Sequence, residues 1–378
     1  MINQELTYWV TLALIPKMWT KRKNEIYVNC FKHTPQISIV ELFEEKKYWV
    51  EIGLSKIEIA QFENAHKQLA NNSFLVEELL AQGYNILPLH SDEYPKILKK
   101  NLGVSAPTVI FAKGNISLLQ EPSIAIVGSR KADNISLEFT NHIAAKASSE
   151  KKVVVSGFAK GVDRMALDSA IGVNGKSIIV LPQGIMTFSS GFKQYFKQIS
   201  KGNVLVISTF APKAPWCVEF AMARNPIIYG MASEIYVAQS DDKGGTWSGV
   251  IDGLQKNRSI YVRWPEPNEK NANIILVQKG AKPIDILGNN LDISPDNIKT
   301  TEQTEKDDLN EKIIQILKGV DKISSKDIMK KLQLDWTDNK MKKHLDSISV
   351  ILKIKEKNRV YYKMNNKCEN DLFSNITN

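Results

Sequence analysis

Two short segments of this 378-residue chain combine glycine with a nearby cation: Val-Gly-Ser-Arg at 127–130 and Ser-Gly-Phe-Ala-Lys-Gly-Val-Asp at 156–163. Glycine at a strand-to-helix turn lets the backbone approach a ligand closely. The helix start behind it offers free N–H groups and the positive end of the helix dipole. Arg130 can grip phosphate bidentately and Lys160 supplies a compact cation. The N–H groups of Gly128, Ser129, Gly157 and Gly161 can cradle phosphate oxygens, with Ser156 and Phe158 beside them. The alternative is that these glycines only permit tight turns. Lys243-Gly244-Gly245-Thr246 reads as a third anion-facing turn, and Trp247 either stacks on a base or packs under its helix. Phe158 faces the same choice, with core or loop packing favoured. Arg224 and Asn225, ahead of Pro226, either join the site or serve as an internal salt bridge and cap. The chemistry read here is anion binding without turnover, because Asp163 has no second acid or nucleophile at a defined spacing. Asp163 is expected to accept hydrogen bonds from its loop or to orient Lys160. The five histidines, at 33, 66, 90, 142 and 344, form no metal-ligand pattern, so neither cofactor nor metal is expected.

These turns need a scaffold, and the surrounding pattern supplies one. Strand-like apolar runs sit at 108–112, 123–127, 152–155, 177–181, 203–207, 234–238 and 259–263. Helix-like segments lie between them at about 134–149, 161–172, 189–200, 217–230 and 247–256. This alternation predicts an α/β fold: a Rossmann-like parallel sheet with helices on both faces. Ligands in such sheets bind outside the strand carboxyl ends, where both glycine turns fall. Residues 1–82 read as a helical N-terminal domain. Trp9, Trp19 and Trp49 are expected in its core, and the α/β domain is expected to span 83–290.

Composition bounds the partner. The net charge is +9 with 43% hydrophobic residues, which favours a polyanion and allows a real core. An acidic stretch at 291–308 holds two Lys against six Asp/Glu, whereas from Leu309 onward 15 Lys/Arg face nine Asp/Glu. The first reads as a linker. Residues 309–364 read as three helices and a hairpin, the winged-helix pattern, with a polar tail at 365–378. Leu309, Ile313, Ile316 and Leu317 form one apolar stripe, and Ser324 or Ser325 caps the second helix. The third helix, from about Thr337 to Ile348, would bear Lys340, Lys342 and Lys343 as accessory nucleic-acid contacts. Cys30, Cys217 and Cys368 are too dispersed for a disulfide framework. The N-terminus has no secretory pattern and no apolar run approaches ~18 residues, so a cytoplasmic protein without membrane contact is expected.

Taken in order, the motifs resemble those of the DNA-processing protein A family (DprA, also called Smf). The matching segments are Tyr94-Pro95-Lys-Ile-Leu98, Ala106-Pro107-Thr-Val-Ile-Phe-Ala-Lys-Gly-Asn115, the two glycine turns, Arg224-Asn225-Pro-Ile-Ile228 and Asn273-Ile-Ile-Leu-Val-Gln-Lys-Gly-Ala281. The chain departs from the family pattern at Leu167, where His is usual, at Pro226, where a second Arg is usual, and across Lys243–Gly249. The resemblance implies a non-enzymatic mediator of DNA processing, transformation or recombination. Such a protein binds single-stranded DNA, protects it and helps load a RecA-type recombinase, as a homodimer. Two other functions compete. One is a nucleotide sensor or phosphoribohydrolase-like enzyme. Gly244-Gly245-Thr246 is similar to the Lonely Guy glycine turn but lacks its preceding Pro and following Glu. The other is a transcription regulator that uses the winged helix, a module that can contact duplex DNA or protein.

Overall fold

The computed structural model describes residues 2–267, 269–293, 301–356 and 359–365. The chain divides into two compact units, Met1–Asp296 and Asn297–Asn378.

The first unit begins with six helices: α1 (Ile2–Leu14), α2 (Thr20–Lys32), α3 (Ile39–Glu44), α4 (Lys47–Glu51), α5 (Lys56–His66) and α6 (Leu69–Ala81). Local chemistry sets two of their starts. Ser38 with Glu41 and Ser55 with Glu58 form reciprocal capping boxes ahead of α3 and α5. Trp9 and Trp49 are buried as expected, but Trp19 stands 85% exposed at the N-cap of α2, which turns it away from the helix contacts. The helices share one apolar core with a face of the sheet, since Trp9, Phe43 and Phe62 belong to the same cluster as Phe111, Ile179 and Val206.

The α/β part then runs β1 (Asn85–Pro88), α7 (Lys96–Leu102), β2 (Val109–Gly114), β3 (Ser123–Val127), α8 (Asn134–Ser149), β4 (Val153–Ser156), α9 (Val162–Gly172), β5 (Ser177–Val180), α10 (Ser189–Gln194), α11 (Phe196–Ser200), β6 (Val204–Ser208), α12 (Val218–Ala223), α13 (Asn225–Gly230), β7 (Glu234–Val237), α14 (Gly245–Gln255), β8 (Ser259–Arg263), α15 (Asn273–Gln278) and β9 (Lys282–Ile284). The strand order is β1-β2-β6-β5-β4-β3-β7-β8-β9. The seven strands from β6 to β9 in that order are parallel, while β1 and β2 add antiparallel at one edge. The run at 108–112 was expected in the parallel set. It joins antiparallel instead, pairing β1 on one side and β6 on the other. The sheet centre, with fully buried β3, β4, β5 and β6, reads as near-continuous Val and Ile, as a two-sided parallel sheet requires.

In the second unit, α16 (Thr301–Lys318), α17 (Ser325–Leu332) and α18 (Asp338–Asp346) precede a hairpin of β10 (Ile351–Glu356) and β11 (Arg359–Met364). Ser324 and Thr337 cap α17 and α18. Ile313, Leu317, Ile328, Met341, Leu345 and Tyr362 form its core. Ile323 and Tyr362 exchange backbone hydrogen bonds of 3.0 and 2.8 Å, tying the segment before α17 to β11. The expected linker at 291–308 is overtaken from residue 301 by α16, which starts eight residues ahead of Leu309, and residues 294–300, the hairpin tip at Lys357 and Asn358, Cys368 and nearly all of the polar tail lie outside the described residues.

Candidate nucleic-acid interface

The chain runs outward from β3 through β4, β5 and β6 on one side, and returns to start β7, β8 and β9 on the other. The switch point therefore lies between β3 and β7, where the loops leaving neighbouring strands diverge. The turns after β4, β3 and β7 stand side by side there, and they hold Gly157–Gly161, Gly128–Arg130 and Lys243–Thr246. Backbone contacts lock these loops together. Ser129 N–H donates to the Gln239 carbonyl at 2.9 Å, and Val162 N–H donates to the Ser129 carbonyl at 3.3 Å. Gln239 also accepts from Asp133 N–H at 3.0 Å through its side-chain oxygen, and Asp133 caps α8 through Ser136 N–H at 2.7 Å. Gly161 (φ +78°) is required twice over. A Cβ there would meet the Ser129 carbonyl oxygen at 2.4 Å and Arg130 Cα at 3.0 Å. The two signature turns thus touch through their backbones.

Arg130, Lys160 and Lys243 all project to solvent at this edge. Among the described residues, the Lys160 and Gly161 N–H groups have no protein acceptor. Ser129 N–H, expected to face an anion, is instead bound to Gln239. Ser156 is buried and donates to the Ile126 carbonyl at 2.8 Å. Phe158 takes a left-handed backbone (φ +63°), and its ring packs against Phe188 and Tyr195. Trp247 is half-buried on the first turn of α14.

Arg224 and Asn225 are brought to the same edge but work inward. Arg224 is only 3% exposed. Its guanidinium donates to the Gly157 and Val180 carbonyls, the latter at 2.7 Å, and pairs with Asp163 at 3.3 Å. A Cβ on Gly157 would collide with that guanidinium, so this glycine makes room for arginine and not only for a ligand. Burial pushes the Asp163 carboxyl up from its ordinary value, while Arg224 and the Ala159 N–H pull it back. Burial lowers Arg224 in turn, opposed by Asp163, and the charge of Arg130 is felt at both groups. Asn225 donates to the Gly245 carbonyl at 3.3 Å, and the Tyr229 hydroxyl donates to the Thr246 carbonyl at 3.3 Å. Consecutive residues at the α12–α13 junction therefore anchor two different turns. Pro226 suits this junction, since at the start of α13 its missing N–H is not needed. Leu167, in the place of the family's usual His, is fully buried on α9.

Lys340, Lys342 and Lys343 belong to the second unit. Lys342 pairs with Asp338 at 2.7 Å, the Lys340 ammonium lies 4.2 Å from the Trp336 ring, and Lys343 is exposed. Sequence reasoning missed Gln239, whose link to Ser129 runs through a backbone carbonyl that no residue type announces and whose side chain meets Asp133, distant in sequence. It also missed Arg164, whose spacing of four from Lys160 was the available signal. Among the described residues, no group of three or more His, Cys, Asp or Glu is placed to hold a metal. No described helix is long and apolar enough to cross a membrane.

The chain is similar to known proteins. The sequence pattern of the family described as DNA recombination-mediator protein A matches residues 85–292, more than half of the chain. DNA processing protein DprA of Bacillus subtilis is 30% identical over 207 residues, covering 54% of this chain and 69% of that one. Protein Smf of a Synechocystis species is 26% identical over 299 residues, covering 75% and 71%. The crystal structure of DNA processing protein A from Streptococcus pneumoniae superposes with a TM-score of 0.60 at 22% identity, covering 75% of this chain and 95% of that one, a likeness of fold.

Proposed function

The chain belongs to the DNA recombination-mediator protein A family, and from that premise we propose that it binds single-stranded DNA at the three locked turns. In this reading it acts without turnover: it shields exposed strands and helps a RecA-type recombinase load, as a cytoplasmic homodimer. One observation carries the site. Two glycine turns that touch through Gly161 each present an exposed cation, Arg130 and Lys160, at the switch point of a parallel sheet. Arg130 and Lys160 take phosphates, the free N–H groups of Lys160 and Gly161 take phosphate oxygens, and Lys243 extends the row. Arg224 and Asn225 hold the turns and leave the strand to others. Trp247 is the base-stacking candidate beside the third turn. Asp163 is spent on Arg224 and its own loop, which supports binding without catalysis.

The second unit is assigned as a winged helix with α18 as recognition helix, contacting a duplex backbone or a protein. Because Lys342 is paired and Lys340 lies over Trp336, Lys343 is the freest of the three.

Replacing Arg130 and Lys160 together by Ala tests the site. Single-strand affinity should fall, and the log–log salt slope should flatten by about 0.7 per lost phosphate contact. A folded double variant with unchanged slope rejects the assignment. Displacement of DNA by a mononucleotide at low concentration would favour the nucleotide-sensor reading.

A further inference from the structure

We propose that the bound strand continues from the turns across the flank of the sheet formed by α9, α10 and α11, with Arg164 holding a phosphate and Phe196 stacking on a base. This rests on the single-strand reading above, and it adds a surface that the signature motifs do not contain.

Arg164 stands in the first turn of α9, four residues after Lys160 in the loop that leads into that helix. Its guanidinium is held in a fixed pose. It sits 4.4 Å from the centre of the Phe158 ring and 5.7 Å from that of Tyr195. Its Nε donates to Asp168 at 2.9 Å, while the other Asp168 oxygen accepts from the Tyr195 hydroxyl at 2.7 Å. The Phe158 ring lies against the guanidinium and its Nε edge is used, so the two terminal nitrogens remain as the donors for an anion. The support under it is costly. Phe158 adopts the left-handed backbone that a non-glycine residue rarely takes. A turn needing only that backbone would be served better by glycine; phenylalanine additionally supplies the platform for Arg164.

The neighbouring surface suits the same polymer. Phe196 follows Tyr195 directly and is 69% exposed, a large ring left in water. From Ser189 to Lys201 the chain carries Lys193, Lys197 and Lys201 and no acidic residue. Lys193 and Lys197 are exposed on either side of Phe196. Lys197 and Lys201 also line a cleft of about 140 Å³ with Asn174, Gln198 and Asn203, beyond the end of α9. Cations with no ion-pair partner among the described residues, beside an open aromatic face, match a single strand, whose bases are free to stack, better than a duplex, whose base faces are hidden. Asp168 on α9 has its oxygens already occupied by Arg164 and Tyr195.

The test uses the full chain and fluorescent oligothymidylates of two lengths, titrated at several salt concentrations. Arg164→Gln should reduce the salt slope for the long strand by about 0.7, the loss of one phosphate contact, and leave a tetranucleotide unaffected. Arg164→Lys keeps the charge and should keep the slope. Phe196→Ala, an exposed change that folding should tolerate, should weaken the long strand about 5- to 100-fold with the slope unchanged. Wild-type affinity and slope in both folded variants would overturn the proposal while leaving the turns as the site. If the unaltered protein binds neither strand, the parent reading fails instead. If Phe196→Ala spares DNA binding and abolishes recombinase loading, the surface belongs to a protein partner and the proposal is likewise overturned.

Discussion

Arg224 and Asp163 show how little a residue's type says about the direction it faces. An arginine beside glycine turns reads as a phosphate ligand, yet here it is buried, paired with Asp163 at 3.3 Å and donating to two carbonyls. The pair is a commitment more than a gain, because both charges were taken out of water to form it. Removing one partner strands the other. Arg224→Met should therefore destabilise the first unit by about 3–5 kcal/mol, and adding Asp163→Leu should recover much of that loss. Denaturant unfolding of the single and double variants measures both. If the single change is nearly neutral, Asp163 has found another partner and the pair is not the anchor of the turn.

At the scale of elements, legibility followed the length and context of each apolar run. β3 and β8 have the residues expected of them, and α8 spans the predicted stretch, because each is an uninterrupted run with clear punctuation. β1 and β9 hold only four and three residues, and each contains a proline, Pro88 and Pro283, that lowers strand signal. They form because long-range pairing completes the sheet edges. The break between α12 and α13 was invisible too, since the apolar pattern continues through it and only the inward pull on Arg224 and Asn225 marks the junction. The position of the glycine turns at the carboxyl edge was readable from strand–turn–helix order, whereas their mutual locking through Gln239 was not. Caps make element-level predictions of their own. Glu58 caps α5 and pairs with Arg22, and the Arg22 hydrogen bond holds its carboxyl down at about 2, below the usual 4.5. A folded-state value below the unfolded one adds stability above 4.5 that is lost as pH falls toward 2. Glu58→Gln should cost about 1–2 kcal/mol at neutral pH, allowing for the partial exposure of Arg22. The gap from the unaltered protein should close across that acid window in thermal melts at stepped pH. A gap that does not change with pH would mean the ion pair contributes nothing.

For the whole molecule, the boundary between units sets where the chain can be divided. A cut near Gly288 would remove Asn290 and Leu291, which bridge back to Ile284 and Pro283 and cover the edge of β9. A chain ending after Asp296 keeps that cover. It should fold, retain single-strand affinity within a few-fold and lose any duplex binding, as read by mobility shift with both DNA forms. Loss of single-strand binding in a folded shortened chain would move the primary site to the second unit. The junction at 224 and 225 has a different consequence, which concerns what the sequence can change over time. Apart from Gly157 and Gly161, which the close approaches demand, the positions of the turns can alter one at a time, since each only has to suit its neighbours. The two anchors cannot move separately, being adjacent on one helical stretch. Inserting or deleting a single residue in α12 would swing both side chains around the axis by about 100°. Gly157 and Gly245 would then lose their anchors in the same event. The other loop positions are free to drift in composition, but the length of α12 is held constant by two loops at once.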